Sequence, residues 1–481
     1  MFRSYFTSKI IYTLIATILL ILAFYNIFYG LSDFPIFSWD EARHGASAYE
    51  MLKKNNLIVN TYKNKIDYWN LKPPLSFLIT IAGYKLVGFN TLGLRLLSAA
   101  SALLTILIIF LFVLKKHGIL ASFIATLSLA TSTQFLINHS ARTADADSLF
   151  VLLFTSSILS LVLSAHSSKW FYVSAISFSL AFLTKSWHAC NLFIIIFLYL
   201  IFTGVYKRLT LKNWVLLLSF MFGPIIIWGL LRYQYDGIEF FKNMITYDLL
   251  KRSSTTIEGH FGSRLYYLEI IWRFSKDWIM LLIGLTLANL YKASNRIKPS
   301  LNGYAIGLYL WLFIPLILYS MAETKIRWYI LPIYPALSII IGVLCANVFQ
   351  KAKVGMKVTI LALIVWISAN YEQQIFTYIH HPIPKLHLSL VQSLQNINEV
   401  KGYNLYIYRH TKNVWAQNTV LAAELYGDLR VRDGGLKTFL KNDRALLLLK
   451  KTEKTKQLIK SNHLAIITSN KWGYIVSKST P

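Results

Sequence analysis

IIYTLIATILLILAFYNIFY, residues 10–29, decides what kind of chain this is. The run carries no Asp, Glu, Lys, Arg or His. As a helix rising about 1.5 Å per residue it reaches across a hydrocarbon core of about 30 Å. Arg3 and Lys9 precede it, and no small-residue cleavage site follows. It therefore reads as a retained anchor rather than a signal peptide, entered from the cytoplasmic side. Comparable runs recur at 92–114, 119–138, 148–165, 170–184, 189–205, 213–231, 278–291, 304–320, 328–349 and 357–371, which predicts about eleven spans.

The composition agrees. Of 481 residues, 55% are hydrophobic and 15% charged, and the mean hydropathy is +0.49. A soluble enzyme and a disordered chain are excluded. So is an outer-membrane barrel, which would show alternating segments of about 10 residues. Cys190 and Cys345 lie in different apolar runs and offer neither a disulfide framework nor a metal cluster.

The net charge of +28 comes from 49 Lys and Arg against 21 Asp and Glu. Alternate short connections carry the cations: Lys115 and Lys116; Lys169; Lys207, Arg208 and Lys212; Lys292, Arg296 and Lys298; Lys351, Lys353 and Lys357. Such loops face the cytoplasm. Basic residues scattered among spans make no nucleic-acid surface, although a basic face also suits anionic lipid headgroups. The intervening connections, 31–90, 139–147, 185–188, 232–276 and 321–327, hold nearly all the acids of the membrane part. They should share the outer face.

The pattern changes at 372. Residues 373–481 alternate strand-like runs (404–408, 429–431, 445–449, 464–468, 474–476) with amphipathic helical ones (386–397, 419–426, 436–441). This predicts a helical transmembrane domain over 1–372 and a small extracytoplasmic α/β domain over 373–481.

Five outer connections bring acid or base to one face. Trp39-Asp40-Glu41-Ala42-Arg43-His44 follows the first span. Trp69-Asn70-Leu71-Lys72-Pro73-Pro74-Leu75 holds Lys72 ahead of two prolines, which open a helix at about Leu75. His139-Ser140-Ala141-Arg142-Thr143-Ala144-Asp145-Ala146-Asp147 ends where a span begins. Thr184-Lys185-Ser186-Trp187-His188 places an ammonium near membrane depth, which calls for an anionic partner. His260 and the run Glu323-Thr324-Lys325-Ile326-Arg327-Trp328-Tyr329 complete the set. Each has an ordinary structural reading: an interfacial anchor, a proline turn, a helix cap, a structural histidine. Together, carboxylates beside several cations suit a reaction on a phosphate-bearing lipid, where cations hold the phosphate and a carboxylate activates the nucleophile. No Walker-A or dinucleotide glycine motif is present, so a cytoplasmic nucleotide is not expected as the energy source.

In these motifs the chain resembles the membrane glycosyltransferases of the GT-C superfamily, near the protein O-mannosyltransferases and the bacterial transferases that add aminoarabinose to lipid A. The resemblance covers roughly residues 1–350. It implies a monomeric GT-C helical protein of the bacterial inner membrane that moves a sugar from a polyprenyl (undecaprenyl) phosphate to a lipid A-like, glycan or protein acceptor at the outer face. By position it implies Asp40 as the key carboxylate with Glu41 beside it, and Asp147 and Asp145 as a second acidic site. Arg43, Lys72, Lys185 and Lys325 become phosphate-binding candidates; His44, Arg142, His260 and Tyr329 are further site candidates. The aminoarabinose transferases carry an acid where Leu71 stands, so a divalent metal shared with a histidine such as His260 stays open and no cofactor is assigned. Ser186 stands where the family commonly has Gly. A lipid-linked-sugar flippase is the competing class, since it too would need cations for a phosphate within the membrane.

Overall fold

The structure is a computed structural model that describes residues 2–293, 302–408 and 416–478. Arg296 and Lys298 of the basic connection lie outside the described residues. The first apolar run sits in the helix Phe2–Phe28. Its residues Leu19, Ala23 and Ile27 are buried, while Leu14, Ile18 and Ile21 are more than half exposed. Water would not tolerate such a stripe beside similar ones on other helices, and lipid would.

The other runs fall in the helices Thr91–His117, Ile119–Ala130, Asp147–Leu163, Lys169–Lys185, Cys190–Thr203, Leu211–Asp236, Tyr266–Ala293, Gly303–Met321, Tyr334–Lys351 and Val354–His380. Among the described residues, six helical stretches are long and apolar enough to cross a membrane: Thr91–His117, Lys169–Thr203, Leu211–Asp236, Gly303–Met321, Arg327–Lys351 and Val354–His380. Thr13–Phe28, Leu75–Val87, Ile119–Ala130 and Asp147–Leu163 are apolar but shorter. The run expected to end at 138 stops at Ala130, because the Ser132 hydroxyl caps a separate turn, Thr133–Leu136. Small residues bring helices close, as membrane packing favours. A Cβ on Gly342 would run into the Ala121 carbonyl and the Ala125 side chain.

Segment 31–90 is ordered around the helix Asp40–Lys53, a hairpin of β1 (Thr61–Tyr62) and β2 (Lys65–Ile66), and the helix Leu75–Val87. The two prolines open that last helix at the expected residue.

The last long helix runs to His380, past the expected boundary at 372, because Tyr371, Ile375 and Ile379 continue its buried stripe. Beyond it a five-stranded sheet runs in the order β4 (Arg430–Val431), β3 (Asn404–Ile407), β5 (Ala445–Lys450), β7 (Gly473–Ser477), β6 (Ala465–Ser469). β3 pairs in parallel with β4 and β5; β7 pairs antiparallel with β5 and β6. The helix Glu453–Ser461 is absent from the sequence expectation; its signal is the reciprocal cap between Thr452 and Thr455.

This domain docks on the Asp40–Lys53 helix through its own helix Gln417–Gly427. A Cβ on Gly45 would lie 2.6 Å from Leu421 and from Leu94, so the two helices touch at that glycine. Tyr49 donates to Asp428, and Lys53 pairs with Asp428 at 3.1 Å. Between these contacts Glu424 is buried against Glu50. Glu50 already accepts from the Thr61 hydroxyl at 2.6 Å and the Asn64 amide at 2.9 Å. Burial, then the Glu50 charge, holds the Glu424 carboxyl well above the usual range. A carboxyl that binds its proton more tightly folded than unfolded stabilises the fold below its unfolded value, near 4.5, and that stabilisation is lost as pH rises toward the folded value. Glu424→Gln keeps a donor toward Glu50 without taking up a proton. The variant is expected to match wild type in thermal unfolding near pH 4.5 and to exceed it at pH 8 by about 1–3 kcal/mol, the scale of relieving one buried ionisation. An equal difference at both pH values would remove the shared-proton explanation.

Candidate active site

Trp39, before the helix that Asp40 opens, has φ 70° and ψ −124°, outside the regions comfortable for an L-residue. This turn aims Asp40 into a cavity of about 590 Å³. At about 100° per residue, its neighbours on the helix point elsewhere.

Glu41 is 1% exposed and binds Arg95 with both oxygens, at 2.7 and 2.9 Å. It also accepts from the backbone N–H of Phe37 at 2.7 Å and of Ala144 at 3.0 Å. Glu41 thus binds the Thr91–His117 helix and the loop of Asp145 to the start of the Asp40 helix. Arg43 forms a bidentate pair with Asp67 at 2.6 and 2.8 Å, between the rings of Tyr62 and Trp69. Asp67 in turn accepts from the Trp69 amide at 2.9 Å. Arg43 is therefore committed to shaping the loop that carries Lys72. His44 is buried and stacked on Phe77 at 4.2 Å, and burial pushes its pKa down to about 3.

Within the cavity Lys72 lies 3.5 Å from Asp40 and donates to Asn70 at 3.2 Å. His139 stacks flat on Trp328, with ring centroids 3.8 Å apart. Its Nε2 is 3.5 Å from Asp40; its Nδ1 is 3.4 Å from both Asp145 and Asp147. Lys185 is buried and paired directly with Asp147. Ser186 donates to Asp248 at 3.2 Å, Asp248 accepts from Arg252 at 2.8 Å, and Arg252 reaches the Tyr329 hydroxyl at 3.4 Å. Asp248 sits in a π-helical turn, Met244–Lys251, an irregularity frequent at functional sites. His260 also lines the cavity.

The electrostatics separate the acids. Burial alone would raise Asp40, but Lys72, His139, Lys185 and Arg252 outweigh it and hold its carboxyl well below the usual range. Asp145 is pushed up to about 7 by burial, against the pull of His139. Burial would lower His139, yet Asp145, Asp147 and Asp40 raise it. Of these three acids Asp40 is the most open to the cavity, with 26% of its side chain exposed against 2% for Asp145 and 4% for Asp147.

Asp40, His139 and Asp145 offer ligand atoms within 4.8 Å of one another. Lys72, Lys185 and His139 already lie among these acids, so the chain's own cations meet the charge of the cluster. Beside His260, Leu71 is apolar and buried and has no ligand atom. The residues do not fit a metal there, and no step below uses one.

Of the residues that the sequence nominates, the structure brings Asp40, Glu41, Lys72, Asp145, Asp147, Lys185, His260 and Tyr329 around the cavity, Glu41 almost wholly buried in its wall. It places Arg142 on the carbonyls of Asn26, Ile27 and Tyr29, closing the end of the first helix. Lys325 caps Gly303–Met321 by donating to Tyr319, Ser320 and Ala322. His139, Asp248, Arg252 and Trp328 join the lining without having been nominated. His139 stood inside a quoted motif, whereas Asp248 and Arg252 showed only an ordinary i,i+4 pair.

Residues 71–228 match a family model described as dolichyl-phosphate-mannose-protein mannosyltransferase. An uncharacterized protein of Aquifex aeolicus (strain VF5) is 25% identical over 81% of this chain and 82% of its own length. The undecaprenyl phosphate-alpha-4-amino-4-deoxy-L-arabinose arabinosyl transferase of Shewanella sediminis is 26% identical over 68% of this chain and 59% of its own. ArnT from Cupriavidus metallidurans, solved bound to undecaprenyl phosphate, shares the fold with a TM-score of 0.74 at 15% identity, covering 97% of this chain and 98% of that one. The archaeal oligosaccharyltransferase AglB from Archaeoglobus fulgidus follows at TM-score 0.52 and 10% identity, over 88% and 64% of the two chains. Fold, family match and relatives point the same way: the chain has the fold of ArnT and is similar in sequence to the arabinosyl transferases and, over 71–228, to the protein mannosyltransferases.

Proposed function

We propose that the protein moves a sugar from undecaprenyl phosphate, or a related polyprenyl phosphate, to an acceptor at the outer face of a bacterial inner membrane. The observation that carries this is one cavity in which an open carboxylate, Asp40, lies 3.5 Å from Lys72, with Lys185 and Arg252 on the same lining. The donor reading is supported by the lipid in the solved ArnT and by the names of the Shewanella and Pseudomonas relatives. The outer location is supported by the basic connections, which are expected on the cytoplasmic side with the N-terminus. A flippase needs polar groups along its whole path, and here the acids and bases collect in one cavity.

The geometry suggests a single displacement. Lys72, Lys185 and Arg252 hold the donor phosphate. As Lys72 turns to the phosphate, Asp40 loses its nearest cation and becomes a stronger base. Asp40 takes the proton of the acceptor hydroxyl or amine, whose lone pair attacks the anomeric carbon. The bond from that carbon to the phosphate oxygen breaks, its electron pair leaves with the polyprenyl phosphate, and the configuration inverts. Lipid A, another glycan and a protein remain as acceptor classes. Purified protein in vesicles, given undecaprenyl-phosphate-linked sugars and each class in turn, should transfer label to one of them on the side carrying the C-terminal domain. No transfer to any, with donor crossing the bilayer instead, would favour the flippase.

Lys72→Met should weaken binding of undecaprenyl phosphate by about 1–3 kcal/mol, the range for a charge-assisted hydrogen bond. The measurement is a titration with the lipid in detergent. Unchanged affinity would take Lys72 out of the phosphate site.

A further inference from the structure

Trp39 is a strained residue set immediately before the reacting carboxylate. A non-glycine residue at φ 70° and ψ −124° persists only where its surroundings fix it. Its carbonyl is fixed inside the helix, accepting from the Arg43 amide at 2.9 Å. Its N–H is fixed from another part of the chain: it donates to the Gln417 side-chain oxygen at 2.7 Å, across 378 residues. The rotation that defines φ lies between these two anchors.

Gln417 is built for this. It is 1% exposed, so water cannot readily take its place. It is the first residue of the Gln417–Gly427 helix, whose Leu421 seats on Gly45, in the second turn of the Asp40 helix. A side chain anchored in that way sets the peptide plane between Ser38 and Trp39, and so the direction in which Asp40 leaves the turn.

We propose that Gln417 is a positioning residue for Asp40: the C-terminal domain holds the strained Trp39 turn through this hydrogen bond and thereby aims the carboxylate into the cavity. The catalytic consequence rests on the glycosyltransferase reading above; the backbone consequence does not. Without the acceptor, Trp39 relaxes toward negative φ, the first turn of the helix shifts, and Asp40 moves relative to Lys72 and His139.

The test compares Gln417→Met, which keeps length and burial but cannot accept, with Gln417→Glu, which keeps the acceptor at a helix N-terminus where a negative charge is favoured. Three readouts are taken on the full-length protein: hydrogen exchange of the amides of residues 38–44, affinity for undecaprenyl phosphate, and sugar-transfer turnover. In Gln417→Met the amides of 38–44 should exchange faster and those of the remaining helices should not. Turnover should fall about 10- to 100-fold, the scale of a misplacement near 1 Å, with lipid affinity and thermal midpoint little changed. Gln417→Glu should recover both exchange protection and turnover. Wild-type exchange in Gln417→Met overturns the proposal, as does wild-type turnover. So does an equal loss in both variants with a lower thermal midpoint, since Gln417 would then only pack the domains together. If wild type itself transfers no sugar, the enzymatic reading fails, and the exchange of 38–44 still decides whether Gln417 holds the turn.

Discussion

Asp40→Asn should leave a folded protein that binds undecaprenyl phosphate and turns over about 10²–10⁴-fold more slowly, the usual contribution of a general base. The amide fills the same space and keeps one oxygen for either Lys72 or His139, which face different Asp40 oxygens at 3.5 Å in the wild type, but it cannot accept the acceptor's proton. Asp147→Asn is the control. Asp147 is almost wholly buried and committed to Lys185, so its loss should show first as weaker lipid binding. A dead Asp147→Asn beside a near-normal Asp40→Asn would exchange the two roles. Full activity in both would end the mechanism.

The next residue should behave in the opposite way. Glu41→Ala leaves the Arg95 guanidinium, which is 0% exposed, without its carboxylate, and leaves the N–H groups of Phe37 and Ala144 without an acceptor. Removing one partner of a buried pair costs about 3–5 kcal/mol, a large share of a typical folding free energy. The expected result is poor recovery and a sharply lowered thermal midpoint, with donor binding and turnover lost together. A Glu41→Ala protein with wild-type stability and no turnover would mean that Glu41 takes part in the chemistry.

This contrast shows how far the sequence could be read. Spans follow from hydropathy alone, because hydrocarbon selects on composition. The strands of the C-terminal domain were legible from short β-branched and leucine-rich runs. Each of the quoted motifs puts a residue on one cavity. Direction was harder: Asp40, Glu41, Arg43 and His44 are adjacent in the chain, and which of them meets the cavity depends on the Trp39 turn, a conformation that tryptophan does not announce. Lys325 illustrates the same limit, since a lysine after an apolar helix reads alike whether it meets a phosphate or the helix's own carbonyls. His139 needed the fold, because its stacking on Trp328 joins residues from different outer connections.

The docking of Gln417–Gly427 on Asp40–Lys53 has a consequence for synthesis. The Asp40 helix leaves the ribosome long before the helix that covers its other side. Contacts so distant in sequence form late, after the loop between them is closed. While the spans insert one after another, Asp40 has its membrane-side partners and one bare flank, on which Ala42, Ala46 and Tyr49 await Val420 and Leu421. The nascent protein therefore carries an unfinished reaction centre through the whole of its insertion. Chains released early, before residue 417, would have every long helix of the bundle and still lack the piece that closes the site.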